Sequence, residues 1–224
     1  MFHKIELLNK SELLELNKIF NNADFSNGKM NERGTHEKKN NLEMDFDQYY
    51  NNASSIIASS INNSEVFQQI TNFKKNSSFL FSKYIEGMFY KKHYDDVYME
   101  GKSSGRSDYS CTVFLNDPSE YEGGELSIDF GSDQIDYKLK AGEAVVYPTG
   151  FAHQVKQIKS GTRKVCVFWI ECRVQNLEVR NTLSKFHKIL FDKREKINNL
   201  DKDLLNDLYS LTLDLERSFG ECKL

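Results

Sequence analysis

Seven short strand-like segments follow one another between residues 79 and 172, with turns between them and no helical period. The segments are 79–84, 110–115, 125–130, 137–139, 143–147, 154–158 and 164–170. Glycine, proline or polar residues separate them, as at 122–124, 131–133 and 148–150. Parallel strands need long crossover connections, usually helices. This spacing therefore predicts an antiparallel sandwich or barrel.

Helical patterns flank this strand-rich part on both sides. Residues 1–78 are predicted to be a mostly helical region that packs on the core. In it we expect a helix with Ser11 as N-cap, a polar loop over 21–41, and a second helical segment over 46–73. Residues 173–224 are predicted to form two helices, each with an apolar face. These faces carry Leu177, Leu183, Phe186 and Leu190, then Leu204, Leu208, Leu211 and Leu215. The expected arrangement is one catalytic unit with its core at 79–172.

Composition excludes several classes of protein. The 224 residues include 30 basic and 33 acidic side chains, giving a net charge of −3 without a basic run. We therefore expect no nucleic-acid partner. The first residues lack the pattern of a signal peptide, and no stretch of eighteen apolar residues occurs, so no membrane partner is expected. The four cysteines lack the close pairing of a zinc or redox site. A reducing, cytoplasmic location is the expectation.

A histidine and a carboxylate stand two residues apart at His93 and Asp95, and His153 follows sixty residues later. In an extended segment residues two apart point to the same side, so one metal ion could contact both side chains. Two histidines and one carboxylate form the facial triad of non-haem Fe(II) oxygenases, which leaves coordination positions for a co-substrate and dioxygen. Taken alone the pair is weak evidence, because a surface His–Asp pair and a turn-capping His153 would look the same.

Arg163 strengthens the metal prediction. It opens the predicted strand 164–170, and a hairpin with its turn at Ser160–Gly161 would return it close to His153. A guanidinium there could hold the distal carboxylate of a dicarboxylate through paired hydrogen bonds, which a lysine cannot reproduce. The alternative is an exposed arginine at a strand end.

The run 79–180 resembles the PKHD-type hydroxylases, the prolyl/lysyl hydroxylase-domain branch of the 2-oxoglutarate oxygenases. Several short motifs in matching order carry the resemblance. They are Tyr84, Gly87 and Tyr90 before His93-Tyr94-Asp95; the segments 106–110, 114–118, 121–126, 138–142 and 146–148; His153; and Gly161-Thr162-Arg163 leading to 168–170. Two places depart from the family pattern. Asp96 follows the aspartate of the triad, and the segment 97–107 has its own composition.

The resemblance implies a fold, a set of cofactors and some residue roles. The fold is a mainly β double-stranded β-helix (jelly roll) with flanking helices. The cofactors are Fe(II), with 2-oxoglutarate and O2 as co-substrates and ascorbate as a candidate reductant. The resemblance also implies that Tyr84 donates its hydroxyl to the carboxylate held by Arg163. Candidate substrate residues are Arg106 and Trp169. For Trp169, which alternation places on one strand face with Arg163, simple core packing is an equal alternative.

The predicted function is hydroxylation, with a prolyl residue in a peptide or protein as the substrate that the family suggests. A free amino acid or small metabolite is the second choice. Two rival classes stay open on the sequence alone: a cupin-like metalloprotein with another reaction, and a binding domain that has lost turnover. The oligomeric state is undetermined, with a homodimer through the C-terminal helices as one option.

Overall fold

Two antiparallel sheets form the centre of the molecule in the computed structural model, which describes residues 2–28, 38–99 and 104–220. The larger sheet has the order β1-β14-β10-β16-β6-β4-β2, with β11 and β5 also paired to β16. The smaller sheet has the order β13-β12-β15-β7-β3, and β8 pairs with β9. The strands are β1 His3–Glu6, β2 Phe25–Asn27, β3 Lys39–Asn40, β4 Leu42–Met44, β5 Phe73–Asn76, β6 Leu80–Ile85, β7 Phe89–His93, β8 Tyr98–Met99, β9 Gly105–Arg106, β10 Tyr109–Phe114, β11 Tyr121–Gly123, β12 Leu126–Asp129, β13 Gln134–Tyr137, β14 Glu143–Pro148, β15 His153–Val155 and β16 Ile158–Cys172.

The two faces of the larger sheet pack against different partners. In β16, Val165 belongs to the interior between the sheets. Its neighbours Cys166 and Phe168 lie in the core on the outer face, together with apolar residues of the first three helices. This alternation follows from the two-residue period of a strand. It places Arg163, Val165, Val167 and Trp169 on one face, as predicted, and it turns that face towards the smaller sheet.

Five α-helices of the described residues flank the sheets: α1 Lys10–Asn22, α2 Gln48–Asn63, α3 Glu65–Thr71, α4 Leu177–Leu200 and α5 Lys202–Phe219. A short 3-10 helix spans Pro118–Glu120. The helix α1 begins at N-cap Asn9, whose side chain forms a capping box with Glu12, so the predicted N-cap Ser11 is wrong. The predicted segment 46–73 is two helices, because Ser64 ends α2 and caps α3 through the Phe67 amide. The two predicted C-terminal helices are confirmed.

The prediction of a mostly helical region over residues 1–78 is wrong in one respect, because the described residues of that region also supply five strands. Among them, β1 pairs with β14, β4 with β6 and β3 with β7. These strands have only two to four residues each, which is too short for a period to show in the sequence. The predicted loop over 21–41 contains β2 and β3, and its residues 29–37 lie outside the described part of the chain.

Within residues 2–28, 38–99 and 104–220, no helix has both the length and the apolar character required for a transmembrane span.

Candidate metal centre

His93 and His153 face each other across two neighbouring strands of the smaller sheet. They are direct partners in the β7–β15 register, and their ring centroids are 4.3 Å apart. The Nδ1 of His93 lies 2.8 Å from the Lys91 carbonyl, and the Nδ1 of His153 lies 3.0 Å from the Phe151 carbonyl. A carbonyl oxygen only accepts, so each Nδ1 carries the proton and donates it. Each Nε2 is then left with a lone pair that can bind a metal.

Asp95 completes a triangle of ligand atoms. Tyr94 is 70% exposed, whereas the Asp95 side chain points inwards beside His93, as the predicted alternation requires. Asp95 Oδ1 lies 3.8 Å from the Nε2 of His93 and 3.6 Å from the Nε2 of His153. One ligand atom from each of the three residues lies within 4.8 Å of the other two. This spacing and this donor set could hold one divalent ion such as Fe(II).

Burial favours the uncharged form of His93. The pKa of His93 is lowered to about 4, first by burial and then by the neighbouring His153. At neutral pH the His93 ring is therefore uncharged, and its Nε2 lone pair is free to bind a metal ion.

Arg163 lies in the interior between the sheets with only 1% of its surface exposed. Its direct partner in the β6–β16 register is Tyr84, and its Cζ is 5.2 Å from the Tyr84 ring and 5.5 Å from the Phe114 ring. Within the described part of the chain no carboxylate pairs with it, and its Nε has no hydrogen-bond partner. Burial lowers the pKa of Arg163, and the surrounding tyrosines oppose that shift. A buried cation without a counter-ion is costly, so this end of the interior fits an anionic ligand.

Known proteins resemble this chain over most of its length. A family model described as the 2OG-Fe(II) oxygenase superfamily matches residues 79–171. A PKHD-type hydroxylase of Rippkaea orientalis is 35% identical over 222 residues, which cover 96% of this chain and 97% of the relative. This chain belongs to the 2OG-Fe(II) oxygenase superfamily. It is an oxidoreductase, a dioxygenase that uses Fe(II), 2-oxoglutarate and O2.

Solved oxygenase structures share its jelly-roll fold. A prolyl-4-hydroxylase of Pseudomonas putida has a TM-score of 0.53 and 15% identity, and the match covers 77% of this chain and 92% of that one. A prolyl hydroxylase of Trichoplax adhaerens, solved with a peptide fragment of a hypoxia inducible factor degradation domain, also has a TM-score of 0.53. It is 16% identical, with 82% of this chain and 86% of that one covered. The predicted double-stranded β-helix is confirmed.

The hairpin that we predicted in this oxygenase between His153 and Arg163 is wrong. The strand β16 runs without a turn from Ile158 to Cys172, and β15 belongs to the other sheet. At Gly161 the φ angle is +76°, and a Cβ would lie 2.2 Å from the Glu120 carbonyl oxygen. Glycine is therefore needed at position 161 because the backbone at the start of β11 comes so close, and not because the chain turns there. Arg163 faces the interior because the two sheets pack face to face.

Gly124 makes room for the arginine in the oxygenase interior. Its φ is +69°, and an added Cβ would lie 3.1 Å from Arg163 Cδ and 2.4 Å from Ile158 Cδ1. Gly123 has positive φ as well. The two glycines separate neighbouring strands, as predicted, but they do not form a hairpin, because β11 pairs with β16 whereas β12 pairs with β13 and β15.

Tyr147 is an interior residue of the oxygenase that the sequence analysis assigned to a strand end. It is 2% exposed, and its ring lies edge-on to His153 at 5.4 Å between centroids. Burial raises the pKa of Tyr147, the Asp95 carboxylate raises it further, and Arg163 lowers it. Tyr147 therefore interacts with the His–Asp–His cluster and with the arginine. Tyr121 is a second buried tyrosine near Arg163. Its hydroxyl lies beside the guanidinium, but the two groups do not form a hydrogen bond of ordinary geometry. Only the alternation along each strand could have indicated them.

A cavity of about 1010 Å³ opens beside the His–Asp–His cluster of the oxygenase, with His93 and Asp95 in its wall. Trp169 also lines it, and the buried Nε1 of that tryptophan has no hydrogen-bond partner among the described residues. Asp96, which departs from the family pattern, lies in the same wall. Arg106 is not part of the described lining. Its guanidinium binds the Asp108 carboxylate at 2.9 and 3.0 Å, which is an anchoring contact.

Proposed function

We propose that this dioxygenase binds Fe(II) through the Nε2 atoms of His93 and His153 and Oδ1 of Asp95. We further propose that Arg163 and Tyr84 bind the far carboxylate of 2-oxoglutarate. The assignment is supported by the proton on each Nδ1, by the ligand spacing, and by a fixed cation in the same interior. Tyr147 interacts with both groups, so a ligand of a few carbon atoms could reach from one to the other.

The buried charge of Arg163 is the observation that carries this proposal. A cation that is 1% exposed and lacks a carboxylate partner among the described residues needs an anion from elsewhere. A dicarboxylate that also contacts the metal would supply it. A cupin-like metal site for hydrolysis has no use for such a cation, so the buried arginine disfavours that alternative.

The bound metal and co-substrate supply the oxidising power that converts a substrate C–H group into C–OH with O2. The residues of this chain hold and orient them. The two histidines supply neutral nitrogen ligands, and Asp95 supplies one negative charge. Arg163 fixes the direction of the co-substrate through its planar fork of N–H donors. The rings of Tyr84, Phe114 and Tyr147 exclude water around the arginine, which strengthens its attraction for a carboxylate.

We propose a prolyl residue in a peptide or protein as the substrate. The family suggests it, and the Trichoplax adhaerens neighbour was solved with a peptide fragment. A cavity of about 1010 Å³ is at the upper end of the roughly 300–1,000 Å³ that small-molecule sites occupy, more than a free amino acid would fill. Eight of the 21 described residues that line it are aromatic, and Phe46 and Tyr98 are 76% and 70% exposed. The unpaired Nε1–H of Trp169 could donate to a substrate carbonyl.

A free amino acid or small metabolite is the second candidate. Charged residues in the cavity wall favour it, because Lys38, Asp45 and Asp96 offer partners for the amino and carboxylate groups of a zwitterion. A screen of succinate release over proline-containing peptides and free amino acids separates the two. Turnover of free amino acids alone would refute the peptide assignment.

The test of the co-substrate site is spectroscopic. Anaerobic addition of Fe(II) and then 2-oxoglutarate should produce a visible charge-transfer band. Its absence in a protein that binds both components would show that they do not share one site.

Two further expectations concern the setting of the enzyme. We propose a cytoplasmic location, because Fe(II) and free thiols such as Cys111, Cys166 and Cys172 persist in a reducing compartment. Cell fractionation tests it.

We also propose a homodimer through the C-terminal helices, where Leu204 and Leu211 are 48% and 51% exposed. Sedimentation of the Leu211→Glu variant tests whether the dimer depends on this face. Leu213→Glu is the control, since Leu213 is similarly exposed on the opposite side of α5.

A further inference from the structure

A line of three hydroxyl groups leads from the cavity wall to Asp95. Ser107 lines the cavity, and its Oγ lies 3.4 Å from Thr149 Oγ1. Thr149 Oγ1 lies 3.2 Å from Ser110 Oγ, which lies 2.7 Å from Asp95 Oδ2. The three hydroxyl residues are 8%, 5% and 0% exposed in that order. Ser107 and Ser110 belong to one segment, whereas Thr149 lies about forty residues further along the chain, so the fold brings Thr149 to the other two.

The direction of these hydrogen bonds follows from the carboxylate. An ionised carboxylate only accepts, so Ser110 must donate its single proton to Asp95. Thr149 must then donate to Ser110, and Ser107 to Thr149. Hydrogen bonds aligned in one direction polarise one another, and a bond to a charged acceptor is about twice as strong as a neutral one.

We propose that Ser110 is a positioning residue that fixes the orientation of the Asp95 carboxylate, with Thr149 and Ser107 fixing Ser110 in turn. Because Oδ2 is occupied by this hydrogen bond, Oδ1 alone faces the Nε2 atoms, at 3.6 and 3.8 Å. Asp95 would then bind the metal ion through Oδ1 alone, and its carboxylate would not rotate to bind the ion through both oxygens. A ligand held in place before the metal arrives binds more tightly, because less freedom is lost on binding. This inference rests on the proposed role of Asp95 as a metal ligand.

Thr112 provides a matched control on the same strand. It lies two residues after Ser110 in β10, shares the inward face, and is 3% exposed. Within the described part of the chain its hydroxyl makes no hydrogen bond, whereas that of Ser110 makes the contact to Asp95. A general effect of removing a buried hydroxyl from this sheet would therefore appear in both variants.

The experiment measures metal binding to the full-length, metal-free protein without 2-oxoglutarate. Mn(II) is titrated in air and Fe(II) under anaerobic conditions. Ser110→Ala should weaken binding by roughly 10- to 100-fold, as expected when the hydrogen bond that orients a metal ligand is lost. Ser110→Thr keeps the hydroxyl and should stay within about threefold of the parent, as should Thr112→Ala. The electron paramagnetic resonance spectrum of bound Mn(II) should change in Ser110→Ala and not in Thr112→Ala.

Thermal melting of the metal-free proteins shows whether each variant is folded. Binding by folded Ser110→Ala within about twofold of the parent would overturn the proposal, and so would equally weak binding by Ser110→Thr. If Ser110→Ala does not fold, Thr149→Val decides, because it removes the second hydroxyl and should weaken binding several-fold. Unchanged binding in Thr149→Val would then overturn it.

Failure of this inference can be distinguished from failure of the proposed function. His153→Ala removes a ligand directly. If His153→Ala binds Mn(II) as the parent does, the metal assignment itself is wrong. If His153→Ala fails to bind and Ser110→Ala binds normally, the metal site stands and only the positioning role of Ser110 falls.

Discussion

The two ends of the interior differ in how they are built. The proposed metal end consists of His93 at the end of β7, Asp95 just beyond it and His153 at the start of β15, and it borders an open cavity. The arginine end lies in the middle of the larger sheet among aromatic rings, with almost no exposed surface. The first end is open to a substrate from the cavity, whereas the second is enclosed and would hold a ligand in one fixed direction. Substitutions should therefore act differently at the two ends.

The largest effect is expected at the metal end. His153→Ala should abolish Fe(II) binding and turnover, because it removes one of the three proposed metal ligands. Metal titration and succinate release measure the two effects. His187→Ala is the control, because His187 is also largely buried but pairs with Glu216 on α5. Parent-like turnover in His153→Ala would show that the metal lies elsewhere.

At the arginine end a substitution should weaken the binding of 2-oxoglutarate and leave the binding of the metal ion almost unchanged. Arg163→Lys keeps the charge and loses the planar fork, so binding of 2-oxoglutarate should weaken by roughly 1.5–3 kcal/mol, the scale of hydrogen bonds to charged groups. Arg163→Ala should weaken it further. Metal affinity without co-substrate should barely change in either variant. Titration of both ligands tests this, and unchanged 2-oxoglutarate affinity in Arg163→Ala would remove the co-substrate from this end.

A smaller effect tests whether the arginine end is rigid. Gly124→Ala places a Cβ against Arg163 Cδ and Ile158 Cδ1, so we expect the KM for 2-oxoglutarate to rise several-fold. Gly131→Ala is a matched control, since Gly131 also has positive φ, at +90°, but its added Cβ would meet nothing within 4 Å. Both variants should lose about 1 kcal/mol of stability from backbone strain. Equal KM values in the two would show that the interior adapts around Arg163.

The smallest effect lies outside both ends, on β1. The pKa of His3 is lowered to about 4, mainly by burial and further by the charge of Lys188. Between pH 6.5 and 4 the unfolded chain binds a proton at His3 that the folded chain does not. The free energy of unfolding should therefore fall as the pH drops through this window.

Urea unfolding of the metal-free protein at pH 7 and pH 5 measures the contribution of His3. We expect His3→Gln to reduce the loss of stability between these values by about 2 kcal/mol. Metal binding at pH 7 should be unchanged in this variant. An identical pH dependence in parent and variant would show that His3 is not protected from protonation.

Sequence patterns were sufficient for features that depend on local periodicity. The two-residue period predicted that His93 and Asp95 share a side, and that Arg163 shares a face with Trp169. The patterns failed where distant segments meet. The strand β7 has exposed lysines at Lys91 and Lys92 and was not predicted, although it carries His93. Strand alternation can place Tyr147 and Ser110 on an inward face, but only long-range packing decides which groups their hydroxyls contact.

The strand β16 limits how the sequence of such a protein can diverge during evolution. It carries Arg163 towards one end of the interior and Trp169 towards the cavity, six residues apart on one face. Point substitutions at Trp169 could retune the choice of substrate and leave the arginine end intact. An insertion or deletion of one residue between them would turn one of the two side chains to the outer core. Divergence along this strand is therefore restricted to exchanges of side chains at constant length, and changes of length must be absorbed by the loops.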